Sequence, residues 1–259
     1  MTWALAATDH LTADLLDDLF ENRIGAVRVP NFVDMASTRA AAAGILERKP
    51  TPYENVDPPI GRIGITQFEH CGGALRRAAY FDLARDAEKV RREVFAGAGD
   101  PVDSVVRALD AAWEGAVGIA EEPDGSQYFA GLVRVIGEGL LHCDWAPYDA
   151  PAEQWSIGRV SAQITWNIYC QMPSSGGATV VYNRPWTADA QAFQIPGSYG
   201  YREDLVSGRE QLRIDPGECD LVLFNSRNFH RIESGVGAAR LSVSSFVGRH
   251  ADGSLVLWS

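Results

Sequence analysis

Lysine is almost missing from this chain: Lys49 and Lys89 are the only two, and arginine carries nearly all of the positive charge. Biased base composition of the coding sequence explains that preference, and it leaves arginines available for carboxylate recognition. Basic residues as a class are outnumbered, 23 against 34 acidic ones, for a net charge of -11. That balance argues against a nucleic-acid binder, because neutralising phosphates needs a basic surface. Cysteine is scarce and dispersed. Cys71, Cys143, Cys170 and Cys219 form no C-x-x-C pair and no short secreted framework, so they read as free thiols in a reducing compartment. No apolar run reaches the ~18 residues that a membrane helix needs, and MTWALAATDHLTADLL meets Asp9 with no basic segment before it. A soluble, cytoplasmic chain without a membrane partner is expected. G-x-G-x-x-G, G-x-x-x-x-G-K-[ST], H-E-x-x-H and G-x-S-x-G are absent too, so dinucleotide, P-loop, zincin and hydrolase readings have no foothold.

What the chain does have is core material. Its 259 residues are 46% hydrophobic, enough for a packed interior, and no linker divides them. A single domain over 1–259 is expected, with residues 1–125 mainly helical and 126–259 a β core. Thr12 or Asp9 caps a helix through LTADLLDDLFENR, GAVRVPNF reads as a short strand, and STRAAAAGILER is a helix ending before Pro50. KPTPYENVDPPIG is a loop, followed by helices over ALRRAAYFDLARDAEKVRREVF and from Asp100 and Pro101 onward. From about Ser126 the pattern changes. SQYFAGLVRVIG, GRVSAQITWNIYCQ, GATVVYN, ECDLVLFNS, NFHRIES, RLSVSSFVG and SLVLWS are short β-branched or aromatic runs punctuated by Gly, Pro, Asn or Ser. Such a succession predicts a sandwich or jelly-roll barrel with the N-terminal helices packed on it.

Two histidines and a carboxylate carry the chemistry. His142 and Asp144 stand two apart in LHCDW, so an extended backbone projects both to one face and turns Cys143 away. His230 in NFHRI lies in another expected strand, from which its ring can close the triangle across the barrel. Two imidazoles and one carboxylate hold non-haem Fe(II) on one face and leave the opposite positions open. Ten residues after His230 comes Arg240, with Ser242 next on the same strand face. Gly235 and Gly237 between them fit a turn joining antiparallel strands. A guanidinium in an inward row needs a partner; a carboxylate received bidentately suits it, and the alternative is an internal pair with Asp or Glu. Arg134, eight residues before His142, is a further candidate for the pocket. His10 and His250 read as surface residues, and His70 in QFEHCGG is placed near the pocket.

This set resembles the Fe(II)/2-oxoglutarate-dependent dioxygenase superfamily, whose fold is a double-stranded β-helix. GGATVVYNRPW, DPGECDLVLFNSRNFHRIESGVG and the closing LVLWS look like the hapalindole and welwitindolinone alkaloid halogenases, over the last third or more of the chain. The resemblance implies iron on His142, Asp144 and His230, with 2-oxoglutarate held by Arg240, Ser242 and Arg134 and O2 as the second co-substrate. It implies substrate contacts from the RIGITQF segment, hence Ile63, Thr66 and Phe68; Trp145, directly after Asp144, is a further candidate wall of the pocket, and His70 a candidate beside it. One departure matters. Those halogenases carry a small residue where Asp144 stands, which frees a position for chloride; an intact Asp144 implies hydroxylation of a small natural product or amino-acid-derived intermediate instead. Desaturation, cyclisation or epimerisation after the same hydrogen abstraction is the alternative outcome. A cupin-type metal enzyme without 2-oxoglutarate and a non-catalytic binding barrel are the remaining alternatives. The oligomeric state is left open.

Overall fold

The computed structural model describes residues 3–53, 56–150 and 152–259. Strand β1 (Leu5–Ala7) leads to α1 (Ala13–Phe20), β2 (Ala26–Val29), α2 (Met35–Glu47), β3 (Thr51–Pro52), β4 (Ile60–Ile63), α3 (Ala74–Val94), α4 (Pro101–Ala112) and β5 (Val117–Ile119). After it come β6 (Leu132–Ile136), β7 (Gly139–His142), α5 (Ala146–Asp149), β8 (Ala162–Gln171), β9 (Ser175–Gly176), β10 (Thr179–Pro185) and β11 (Gln211–Ile214). The chain closes with β12 (Leu221–Phe224), β13 (Asn228–Ile232), β14 (Gly235–Val236), β15 (Arg240–Arg249) and β16 (Leu255–Trp258). Helix starts follow the side chains that can accept the orphan N–H groups of a first turn. The Thr12 hydroxyl takes the Leu15 N–H, Asp34 takes that of Ser37, and Asp100 that of Val102 ahead of Pro101.

A ten-stranded sheet runs in the order β1-β2-β12-β8-β15-β6-β4-β3, with β16 joined to β15 and β5 to β16. A four-stranded sheet runs β11-β10-β13-β7. The two make the jelly-roll core, and apolar side chains from both, Val181 and Ile214 with Tyr169 and Val222, pack into one cluster. Alternation along the long strands decides what each face does. Ile164, Trp166 and Ile168 of β8, with Leu241, Val243 and Val247 of β15, bury against Leu16, Leu19, Ile45 and Leu109 of α1, α2 and α4. Truncating any one of these costs about 2–5 kcal/mol. The residues between them on β8, Gln163, Thr165 and Asn167, are polar, buried and turned to the cavity between the sheets.

Three expectations change. The first half contributes more strands than the one expected at GAVRVPNF, which holds β2: β1 joins β2 at one end of the large sheet, and β4 and β3 form the other. Strands β1, β3 and β4, of two to four residues, carry too little period-2 pattern to be read. The Pro-rich stretch expected as a loop contains Thr51–Pro52 and the start of β4, which pair antiparallel, while its residues 54 and 55 lie outside the described set. The segment between His230 and Arg240 is not a hairpin turn. Strand β13 belongs to the small sheet and β15 to the large one, and β14 between them pairs with β9, Gly235 against Gly176 and Val236 against Ser175. Gly176 has φ +72°, and a Cβ there would stand 2.1 Å from the Ser234 carbonyl oxygen, so only glycine permits this close crossing.

Candidate metal centre

Strands β7 and β13 are hydrogen-bonded neighbours with His142 directly opposite His230. The imidazoles therefore meet side by side within the small sheet rather than across the barrel, with ring centroids 4.2 Å apart. Each ring is aimed by its own strand. His142 Nδ1 lies 2.7 Å from the Leu140 carbonyl oxygen and His230 Nδ1 2.9 Å from that of Asn228. A carbonyl only accepts, so Nδ1 carries the proton in both rings and Nε2 is left with its lone pair free. Phe224 stands edge-on to His230 at 4.9 Å and Tyr199 edge-on to His142 at 5.5 Å, closing the space behind the rings.

Asp144 lies two residues past the end of β7. Its Oδ2 is 3.5 Å from His230 Nε2 and 3.9 Å from His142 Nε2. One ligand atom from each of the three residues falls within 4.8 Å of the others, and Cys143 packs instead against Leu141, Phe229 and their neighbours. Burial drives the His142 pKa down to about 4, helped by the His230 and Arg134 charges and opposed by Asp144. Burial pushes Asp144 the other way, but at the low pH where this carboxyl titrates the histidines are protonated, and the hydrogen bond from His230 with the charges of His142, His230 and Arg134 outweighs burial and holds it at about 2. At neutral pH the site therefore offers a neutral imidazole at His142 and a carboxylate at Asp144, the protonation states that metal binding requires. Two imidazoles and one carboxylate are the facial donor set of non-haem Fe(II) sites.

A cavity of about 290 Å³ opens beside these residues, with Arg134, Thr179 and Arg240 in its wall. Arg240 is 3% exposed and has no carboxylate partner among the described residues. Its Nη2 donates to the Thr179 hydroxyl at 3.2 Å and its guanidinium lies 4.9 Å from the centre of the Tyr169 ring. Nε and Nη1 of Arg240, the hydroxyls of Ser242 and Ser244 and the Tyr169 hydroxyl are buried without a hydrogen-bond partner. Unpaired buried donors are costly, and a guanidinium on the cavity wall with two of its nitrogens unpaired suits an anionic acceptor with more than one oxygen. The internal ion pair considered as the alternative for Arg240 is absent among the described residues. Ser242 is not among the cavity-lining residues; it sits opposite Tyr169 and Arg134 in the ladders on either side of β15. Burial alone would lower the Arg134 pKa, but Tyr53 and Asp144 beside it turn the net shift upward.

The expected substrate contacts divide. Trp145, Thr66 and Phe68 line the cavity. Trp145 lies under the Arg227 guanidinium, and Phe68, 52% exposed at the mouth, stacks on Tyr53 at 5.9 Å. Ile63 and His70 are not lining residues. Strand β4 turns Ile63 onto the main core, and the His70 ring lies 5.6 Å from Tyr80 with its Nδ1 3.0 Å from the Thr66 carbonyl oxygen. Lining residues missed by the sequence reading include Tyr53, Tyr148, Gln163, Asn167 and Tyr199. For Gln163 and Asn167 the signal was available: polar residues at alternate places in an apolar strand. Nothing local marks the tyrosines; Tyr53 and Tyr199 arrive from loops and Tyr148 from the short α5.

Residues 70–259 match the family model of the carrier-protein-independent halogenase WelO5. Among curated proteins, the leucinostatins biosynthesis cluster protein S of Purpureocillium lilacinum is 38% identical over 221 residues, covering 80% of this chain and 88% of that one. The L-gamma-glutamyl-L-propargylglycine hydroxylase of Streptantibioticus cattleyicolor is 29% identical and covers 94% of this chain and 91% of its own. Of solved structures, an N-substituted L-amino acid dioxygenase from Burkholderia ambifaria AMMD superposes with a TM-score of 0.66 at 17% identity, covering 95% of this chain and 91% of that one. A 2-oxoglutarate-Fe(II) oxygenase family protein from Burkholderia pseudomallei gives 0.52 at 15% identity and 98% coverage of both. The last two speak to the fold alone. With the family model spanning most of the sequence, the chain belongs to the family of the carrier-protein-independent halogenase WelO5, among the Fe(II)- and 2-oxoglutarate-dependent oxygenases.

Proposed function

We propose that this enzyme hydroxylates an unactivated C–H bond of an amino-acid-derived small molecule, consuming 2-oxoglutarate and O2 and forming succinate and CO2. The observation that carries the reading is the pairing of a complete His-Asp-His donor set with a buried, carboxylate-free Arg240 in the same cavity. The donors fit Fe(II): two imidazoles with Nε2 free, and one carboxylate. In the proposed roles, His142, Asp144 and His230 hold the iron. Iron bound there supplies activation of O2 coupled to decarboxylation of 2-oxoglutarate. Arg240 receives the distal carboxylate of 2-oxoglutarate, with the hydroxyls of Thr179, Tyr169 and Ser242 as further partners, and Arg134 is assigned to the same co-substrate as a second cation. Asp144 occupies the place that a halide would need, which favours hydroxylation over halogenation.

Trp145, Thr66 and Phe68 are assigned to the substrate side, and the apolar rings of Phe224, Phe246 and Trp258 keep water from the reacting space. An amino-acid-derived substrate is supported by the relatives, one a hydroxylase of L-gamma-glutamyl-L-propargylglycine and another, 24% identical over 149 residues, the L-isoleucine 3(1)-dioxygenase of Pantoea ananatis. Strands from both halves share the large sheet, which supports a single domain over the whole chain. No helix among the described residues is long and apolar enough to cross a membrane, and all four cysteines are free, which supports the reducing cytoplasm as its place. The test is succinate release by the iron-loaded enzyme against free, N-substituted and γ-glutamyl amino acids and against alkaloids. Turnover above the substrate-free rate with an amino-acid derivative is expected; turnover with alkaloids alone overturns the substrate class, and none with any overturns the enzyme reading.

A further inference from the structure

The three proposed ligands are not held in the same way. Each histidine is aimed by a hydrogen bond from its own ring to a strand carbonyl. Asp144 has no such help. Among the described residues its carboxylate meets only the two imidazoles, and it stands beyond the last residue of β7, where the ladder no longer fixes the backbone. Its order must come through its main chain.

That main chain is gripped from the opposite sheet. Gln163, 1% exposed on β8, accepts the Ala146 N–H in Oε1 at 2.9 Å and donates from Nε2 to the Asp144 carbonyl at 3.1 Å. The same Nε2 donates to the Ser226 hydroxyl at 3.0 Å. Ser226, fully buried in the link from β12 to β13, donates its hydroxyl to the Asp144 carbonyl at 3.2 Å, and its own carbonyl accepts the Asp144 N–H at 2.9 Å. The amide orientation is unambiguous, because an N–H can only donate and a carbonyl can only accept. Both polar groups of the Asp144 backbone, and the N–H two residues on, are thus satisfied by one glutamine and one serine.

We propose that Gln163, together with Ser226, is a positioning residue that presents the Asp144 carboxylate to the metal. This rests on the reading of His142, Asp144 and His230 as the metal site. Partners that orient a ligand typically change metal affinity about 10–100-fold when removed. A residue that only packed would lower thermal stability and leave the affinity of the folded protein alone.

Mn(II) provides a probe independent of turnover, since its free-ion EPR signal disappears on binding. Gln163→Glu keeps an acceptor for the Ala146 N–H but sets oxygen against the Asp144 carbonyl, and Gln163→Met removes both bonds. Both variants are expected to fold, by circular dichroism and melting of the metal-free protein, and to bind Mn(II) about 10–100-fold more weakly than wild type. Excess metal should then restore 2-oxoglutarate consumption. Folded variants with wild-type Mn(II) affinity overturn the positioning role and leave the metal site standing. Wild-type protein that takes up no Mn(II) overturns the site and the positioning role together. Should the Gln163 variants fail to fold, Ser226→Ala decides: it deletes one of the two donors to the Asp144 carbonyl, and an unchanged affinity there also overturns the proposal.

Discussion

In the proposed function Asp144 is the residue that decides between hydroxylation and halogenation. With Asp144→Gly the proposed iron site loses its only anionic side chain, so hydroxylation should fall to background, and mass spectrometry in chloride buffer should find chlorinated product or none. Efficient chlorination by the protein with Asp144 intact would contradict the role given to that residue. Arg240→Ala should raise the 2-oxoglutarate concentration needed for half-maximal succinate formation at least tenfold, with little change in the substrate requirement. Removing one partner of a buried charge pair costs about 2–5 kcal/mol, and Arg240 is the guanidinium that lies on the Tyr169 ring and donates to Thr179. The pH dependence has a definite sign. His142 keeps a neutral ring in the folded protein down to about 4, against an unfolded value of about 6.5. A depressed folded-state pKa contributes stability that is complete above the unfolded value and is lost as pH falls toward the folded one. Thermal midpoints of the metal-free wild type should therefore drop more steeply between pH 6.5 and 4 than those of His142→Gln. Parallel curves would contradict the neutral ring. Asp144, held at about 2, adds a loss of the same sign at still lower pH.

Among elements, legibility followed length and periodicity. Helices α1, α2 and α4 are bounded where Thr12, Asp34 and Asp100 could cap them, and β8 and β15 fall within runs of alternating or continuous apolar residues. Hidden were β1, β3, β4 and β5, two to four residues each, whose strand character comes from the ladder they join rather than from their own sequence. The pair Gly235 and Gly237 was legible as a change of direction but not as a change of sheet, because glycine spacing says nothing of which strand comes next alongside. The short β9–β14 pair makes that crossing just ahead of Arg240, and Gly176 sits where any side chain would strike the Ser234 carbonyl. Gly176→Ala should destabilise the protein by about 2–3 kcal/mol through backbone strain and displacement. Calorimetry should record it as a lowered midpoint; an unchanged midpoint would mean that the crossing yields easily.

At the scale of the whole molecule, α1, α2 and α4 cover one face of the large sheet, and the site opens on the other, between the sheets. The approach of His142 and Asp144 was legible because two-apart spacing in extended backbone is a local fact, and it holds although β7 ends at His142. Ile63 was misplaced because it ends the short strand β4, whose inward face was invisible in the sequence, and His70 because its segment follows that strand. The tyrosine walls come from loops and from α5, which only the closed barrel brings near. The account stands or falls on the three side chains sharing one ferrous ion next to 2-oxoglutarate. Anaerobic titration of the metal-free protein with Fe(II), with and without 2-oxoglutarate, tests this directly by visible absorption. One equivalent of Fe(II) should give a weak metal-to-ligand charge-transfer band that grows in only when 2-oxoglutarate is present, and His230→Ala should not produce it. Bound iron that gives no band with 2-oxoglutarate, or a band that survives the loss of His230, would contradict the account.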